Sequence, residues 1–171
     1  MANIILRLTT GSAGTTSTGA NGSIGGAMGT DAGAIITTAN TSLNNLFDNI
    51  SKLENNDGTT DYRCIMIHND TLTSGEIFAT GSIFLEGSPK ADISIGLGDY
   101  NVNAEVLTNE NTVPADIIFS QPTEAFPLAF PGGAQLDANE YIELWVKRTA
   151  QNVAGAGTIT DIITVVVRGV E

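Results

Sequence analysis

The stretch 61–69, read Asp61-Tyr62-Arg63-Cys64-Ile65-Met66-Ile67-His68-Asn69, constrains the fold most. It contains no Gly or Pro and is bounded by turn-forming residues, so it reads as the first long strand of a β-domain. Beyond it the pattern stays β. Strands are expected over 62–69, 76–85, 91–97, 102–108, 116–119, 126–130, 140–148 and 158–168. Gly or Pro marks the intervals, at Thr73-Ser74-Gly75, Glu86-Gly87-Ser88-Pro89, Gly98-Asp99, Phe130-Pro131-Gly132-Gly133 and Gly155-Ala156-Gly157.

Alternation is clearest over 141–148. Ile142, Leu144 and Val146 fall on one strand face, and Glu143, Trp145 and Lys147 on the other. About eight short strands at this spacing, with no long helix recurring between them, predict an all-β antiparallel sandwich or jelly-roll-like domain over 59–171. There is no internal repeat.

The chain before this domain has a different composition. Residues 1–39 are nearly all Gly, Ala, Ser and Thr after a short apolar run at Ile4-Ile5-Leu6-Arg7-Leu8. Such a segment lacks the apolar surface to offset its own ordering entropy. It is expected to be an extended arm, ordered when laid on a partner, with a flexible tail as the alternative. Its anchors would be Ile4, Leu6, Leu8, Ile24, Met28, Ile35 and Ile36. Residues 40–58 are expected to hold one amphipathic helix, 41–54, and its closing turn. Leu43, Leu46, Phe47, Ile50 and Leu53 share one face, Thr41 or Ser42 caps the start, and Asn55-Asn56-Asp57-Gly58 ends it.

Charge narrows the function. Across 171 residues the formal net charge is −12, with only seven Lys and Arg, and these are scattered. That argues against a DNA or anionic-membrane surface, because each phosphate contact draws on Lys or Arg. There is no apolar run of the length needed to span a bilayer and no signal-peptide pattern, since Arg7 interrupts the first apolar stretch. Synthesis and use in a cytoplasm, or release by lysis, is expected.

Chemistry-bearing motifs are absent. The single cysteine, Cys64, cannot form an intrachain disulfide, and His68 is the only histidine. Four residues apart on a strand, the two Cα atoms are about 13 Å apart, too far to share a zinc ion comfortably. No Gly-x-Ser-x-Gly elbow occurs, and Gly96-Leu97-Gly98 lacks the rest of a dinucleotide fingerprint. Asp57-Gly58-Thr59-Thr60-Asp61 does not have the spacing of a helix-loop-helix calcium loop. No catalytic residue, metal site or cofactor is expected. Trp145 lies opposite the apolar row of its own strand. It is expected to be covered either by the helix or at a subunit contact.

Five segments together resemble virion structural proteins of tailed bacteriophages. They are Asn-Gly-Ser-Ile-Gly-Gly-Ala at 21–27, Ser-Leu-Asn-Asn-Leu-Phe-Asp-Asn-Ile-Ser at 42–51, the strand at 61–69, Asn-Glu-Asn-Thr-Val-Pro at 109–114, and Leu-Trp-Val-Lys-Arg-Thr at 144–149. The resemblance implies a β-sandwich component of the particle, best matched by a capsid cement or decoration protein. It implies a major capsid protein as partner, a place on the outer capsid surface, and no catalytic residues. A tail or baseplate module and a carbohydrate-binding, adhesin-like module are the alternatives. A trimer is favoured, because capsid lattices offer three-fold positions, with a monomer whose second face is covered by the helix and its own arm, or a dimer, as the alternatives. Trp145 and the two-faced apolar run Ile162-Ile163-Thr164-Val165-Val166-Val167 would need cover there.

Overall fold

The computed structural model describes residues 1–11, 23–30, 35–36, 46–47, 50–86, 93–150 and 164–170. Two antiparallel sheets make an all-β, sandwich-like domain. The larger sheet runs in the order β2 (Ile35–Ile36), β1 (Ile4–Leu8), β3 (Thr60–Asn69), β7 (Tyr141–Thr149) and β5 (Ile93–Tyr100). The smaller runs β6 (Leu128–Ala129), β4 (Ala79–Leu85) and β8 (Val165–Val170).

The stretch that reads as the first long strand is the centre of the larger sheet. In β3, Ile65 lies opposite Leu8 and Leu144, and Ile67 opposite Leu6 and Ile142. These residues face the smaller sheet and build the main core with Ile83, Leu85, Ile93, Ile95, Phe130 and Leu136. Each such aliphatic side chain contributes about 1.5–3 kcal/mol by leaving water. As the alternation requires, Ile142, Leu144 and Val146 lie in this core, while Trp145 belongs to a second cluster on the opposite face.

That opposite face is covered by irregular chain. After β1 the backbone continues as a ribbon: Thr9 bridges Met28, the Thr10 N–H donates to the Ala27 carbonyl, and the Gly11 N–H to the Gly25 carbonyl. The ribbon then pairs outward, with Gly26 bridging Ala104 and the Leu107 N–H donating to the Ile24 carbonyl. Glycine makes this approach possible. Gly25 has φ +104, and a Cβ there would overlap the Glu105 carbonyl oxygen. Below the end of β1 the same segments take over the edge of β3, where the Cys64 and Tyr62 N–H groups donate to the Ser23 and Glu110 carbonyls.

Several expectations are corrected here. Within 1–39, the described residues are not an arm extending from the domain. β1 is an inner strand of the five-stranded sheet, and its row Ile4, Leu6, Leu8 packs against the main core. Gly11, Gly25 and Gly26, which read as chain flexibility, act as close-packing positions. Of the helix expected over 41–54, residues 41–45 and 48–49 lie outside the described residues, while 46–47 and 50–51 are not helical. The helix is α1, Lys52–Asp57. Ser51 caps it in a reciprocal box with Glu54, and Gly58 closes it in the left-handed conformation. Phe47 reaches the main core, but Leu53 is 70% exposed.

The strands expected over 102–108 and 116–119 are replaced by single bridges, Ala104 to Gly26 and Ser120 to Ile95. Their backbones pair with the glycine ribbon and the β5 edge instead of forming continuous strands. The strand expected over 126–130 shrinks to β6. Of the one expected over 158–168, the described part is β8, and 158–163 lie outside the described residues.

Candidate contact surface

The eight residues expected to make contacts with a partner are engaged within the chain. Ile24 is 0% and Trp145 1% exposed, both inside the second cluster with Tyr62, Cys64, Met66, Ala104 and Leu107. Neither the helix nor a second subunit supplies the cover for Trp145; the segments around Ile24 and 104–119 do. Met28 packs on the same cluster. Ile4, Leu6 and Leu8 are half-buried against the main core, as is Ile36 in β2, and its neighbour Ile35 is half-buried too.

Polar groups inside the molecule are tied to one another. Arg63, fully buried, donates to the Leu46 and Tyr62 carbonyls and is paired with Glu110. Arg148 is paired with Asp61, whose other oxygen accepts from Asn111. Both guanidinium groups lie over the Phe47 ring, at 5.4 and 4.6 Å from its centroid. Asp61, one of the acids considered for calcium, therefore already has two partners. Among the described residues no group of three His, Cys, Asp or Glu is placed to hold a metal ion.

His68 sits in a third cluster. Its Nδ1 accepts from Arg7 Nε at 3.2 Å and its Nε2 lies 3.2 Å from Asn139 Oδ1, so the neutral ring carries its proton on Nε2. Asp70 takes a 3.0 Å bond from Arg7 and lies 3.4 Å from Nδ1. Burial is the main cause that lowers the His68 pKa. Burial also pushes the Cys64 thiol well up, with the Glu143 charge adding to it, which keeps the sulfur protonated and a poor nucleophile. Glu143 accepts the indole N–H of Trp145 at 2.9 Å, and burial raises its pKa.

What remains for interaction is the exterior. Arg7, Arg63 and Arg148 are buried and each is paired with one carboxylate. In the sequence as a whole, these three pairs leave four Lys and Arg against sixteen Asp and Glu, and of the latter Glu143 is buried. Four exposed aliphatic side chains, Val102, Val106, Val113 and Ile118, occur on a single excursion of the chain between β5 and β6. The same excursion sends Ala104, Leu107, Ile117 and Phe119 inward to the second cluster. Its two legs are joined by the Asn109–Thr112 turn and by Glu105, whose carboxylate accepts the Ala115 N–H at 2.9 Å. The sequence reading missed this segment as a surface, because it scored its apolar residues as strands.

Comparison of the chain with protein-family models, with curated proteins and with solved structures finds no match in any of the three.

Proposed function

We propose that the chain is a structural protein of a tailed-bacteriophage particle, of the cement or decoration type, binding the outer capsid surface and stabilising contacts between copies of the major capsid protein. The observation that carries this reading is the exterior: a strongly acidic composition, with four exposed aliphatic side chains on one excursion. Acidity of this kind is disfavoured against packaged DNA and suits the outside of a shell. Aliphatic side chains held outward on a hydrogen-bonded frame suit a protein contact.

A tail or baseplate location is the alternative within the same class, and copy number separates the two. Quantitative protein composition of purified particles should give hundreds of copies per particle. A handful of copies would move the protein to the tail, and none would end the reading. The adhesin-like alternative loses support, because among the ten aromatic residues only Phe126 is prominently exposed. Trimer formation belongs to the same proposal on one ground instead of two. Trp145 is covered internally, whereas Val165, Val166 and Val167 are half-buried on β8, an edge strand. Sedimentation equilibrium giving a monomer at all concentrations would remove the trimer.

A further inference from the structure

We propose that the outer face of the 101–119 excursion docks onto a protein surface that presents aliphatic side chains rimmed by Lys and Arg. The inference rests on the reading above and supplies the chemistry of the partner. Two observations lead to it.

The first is the sidedness of the excursion. Ile117 and Phe119 turn inward while Ile118, between them, is 84% exposed. Val106 stands outward between the buried Leu107 and the carboxylate that bridges the legs, and Val113 is 63% exposed just past the turn. These side chains are held by a backbone fixed to the ribbon and to the β5 edge through Ala104, Leu107 and Ser120. Exposed aliphatic side chains on a fixed backbone lose little freedom on docking.

The second is charge. Residues 91–146 contain nine Asp and Glu and no Lys, Arg or His. On and beside the excursion lie Asp99, Glu105 and Asp116, all exposed, while Glu110 is neutralised by Arg63. A second copy of this chain meeting the face symmetrically would set these carboxylates against themselves. Like charges facing across a contact are strongly unfavourable. A basic rim on a different protein satisfies them and accelerates encounter.

The test measures binding of the purified protein to capsids assembled without it. A triple variant, V106S/V113S/I118S, should bind at least about a hundredfold more weakly. A second, D99N/E105Q/D116N, keeps the Glu105 acceptor for Ala115. It should bind about tenfold more weakly and show a much smaller dependence on salt. A control, L53S/L72S, alters exposed apolar residues on α1 and on the turn after β3, and should bind like the parent chain. Unchanged Trp145 fluorescence in all variants verifies that the fold is intact. If the triple variant binds normally and the control does not, this surface is wrong while the capsid reading stands. If the charge variant binds and responds to salt like the parent, the basic rim is wrong. If the parent chain itself does not bind such capsids, the capsid reading fails. If the triple variant instead turns an oligomer into a monomer, the occupant is a second copy and the proposal is overturned.

Discussion

The two faces of the five-stranded sheet are both buried, but by different means. One packs against a second sheet through Ile65, Ile67, Ile142, Leu144 and Val146, in regular register. The other, carrying Tyr62, Cys64, Met66 and Trp145, is roofed by a glycine ribbon and the 101–119 excursion, with few ladder bonds. The regular face depends on side-chain volume. The roofed face depends on backbone proximity and on a few side-chain pins, such as Thr9, whose hydroxyl donates to the Cys64 carbonyl and accepts the Gly25 N–H.

Truncating the regular face should have the largest effect. Leu144→Ala is expected to cost about 3–5 kcal/mol in urea unfolding, because the surrounding strands cannot collapse into the cavity. In the folded variant the accessibility of Trp145 to acrylamide should not change. Quenching that rises with this variant would mean that the two faces are not independent.

Gly25→Ala should reverse that pattern. The methyl group meets the Glu105 carbonyl and the positive φ is itself unfavourable, so the roof lifts at a cost of about 2–3 kcal/mol. Trp145, the sole tryptophan, should then become quenchable before global unfolding. Gly75→Ala is the control. It also has positive φ, but no atom lies within 4 Å of the added methyl, so it should cost only about 1 kcal/mol.

Glu110→Gln tests the pin between the roof and β3. It leaves the fully buried Arg63 charge without its carboxylate and should cost about 3 kcal/mol. Glu124→Gln, which breaks the exposed pair with Arg168, should change stability by less than about 1 kcal/mol. Equal effects at the two sites would show that Arg63 is adequately held by the Leu46 and Tyr62 carbonyls alone.

The smallest effects are those of pH, and they oppose each other. Burial lowers the His68 pKa, so the unfolded chain takes up the proton first. Its contribution is complete above the ordinary value of 6.5 and is lost as pH falls below it toward the depressed folded value. Glu143 has a raised pKa, so its contribution is complete below the ordinary carboxylate value of 4.5 and is lost as pH rises through the folded value. His68→Gln should therefore flatten the stability loss just below pH 6.5. Glu143→Gln should make the protein more stable at pH 7. Urea midpoints across this range check both, and a Glu143→Gln protein that is weaker at pH 7 would contradict the assignment.

The comparison also explains what could be read from the sequence. The regular face was legible because alternation carries its information, as in the opposed rows of 141–148. The roofed face was not, because backbone-to-backbone packing leaves no period. Gly25 and Gly26 look alike whether they loosen a tail or admit a neighbouring carbonyl, and Ile24 between small residues looks too isolated to anchor a cluster. The helix was misplaced for another reason. The i, i+3, i+4 spacing from Leu43 to Leu53 is present in the sequence, but Ser51 and Glu54 form the reciprocal cap, nine or ten residues after the expected caps, Ser42 or Thr41. The exposed row on 101–119 was hidden by the same limitation as the roof, since outward valines on an irregular segment resemble a strand.

The position of β1 has a consequence for the order in which the molecule can be made. β1 has its main partner in β3, where Ile4 meets Asn69, and β3 in turn waits for β7, where Asp61 meets Arg148. The central sheet therefore closes only after most of the chain has been synthesised. β1 can pair with β2 early, but its edge toward β3 stays open through that interval, and non-local closure of this kind is slow. A Gly-, Ser- and Thr-rich stretch directly after β1 is poor at pairing prematurely with other nascent chains. The composition that first reads as an arm is thus suited to delay, keeping the open edge of β1 available until β3 emerges.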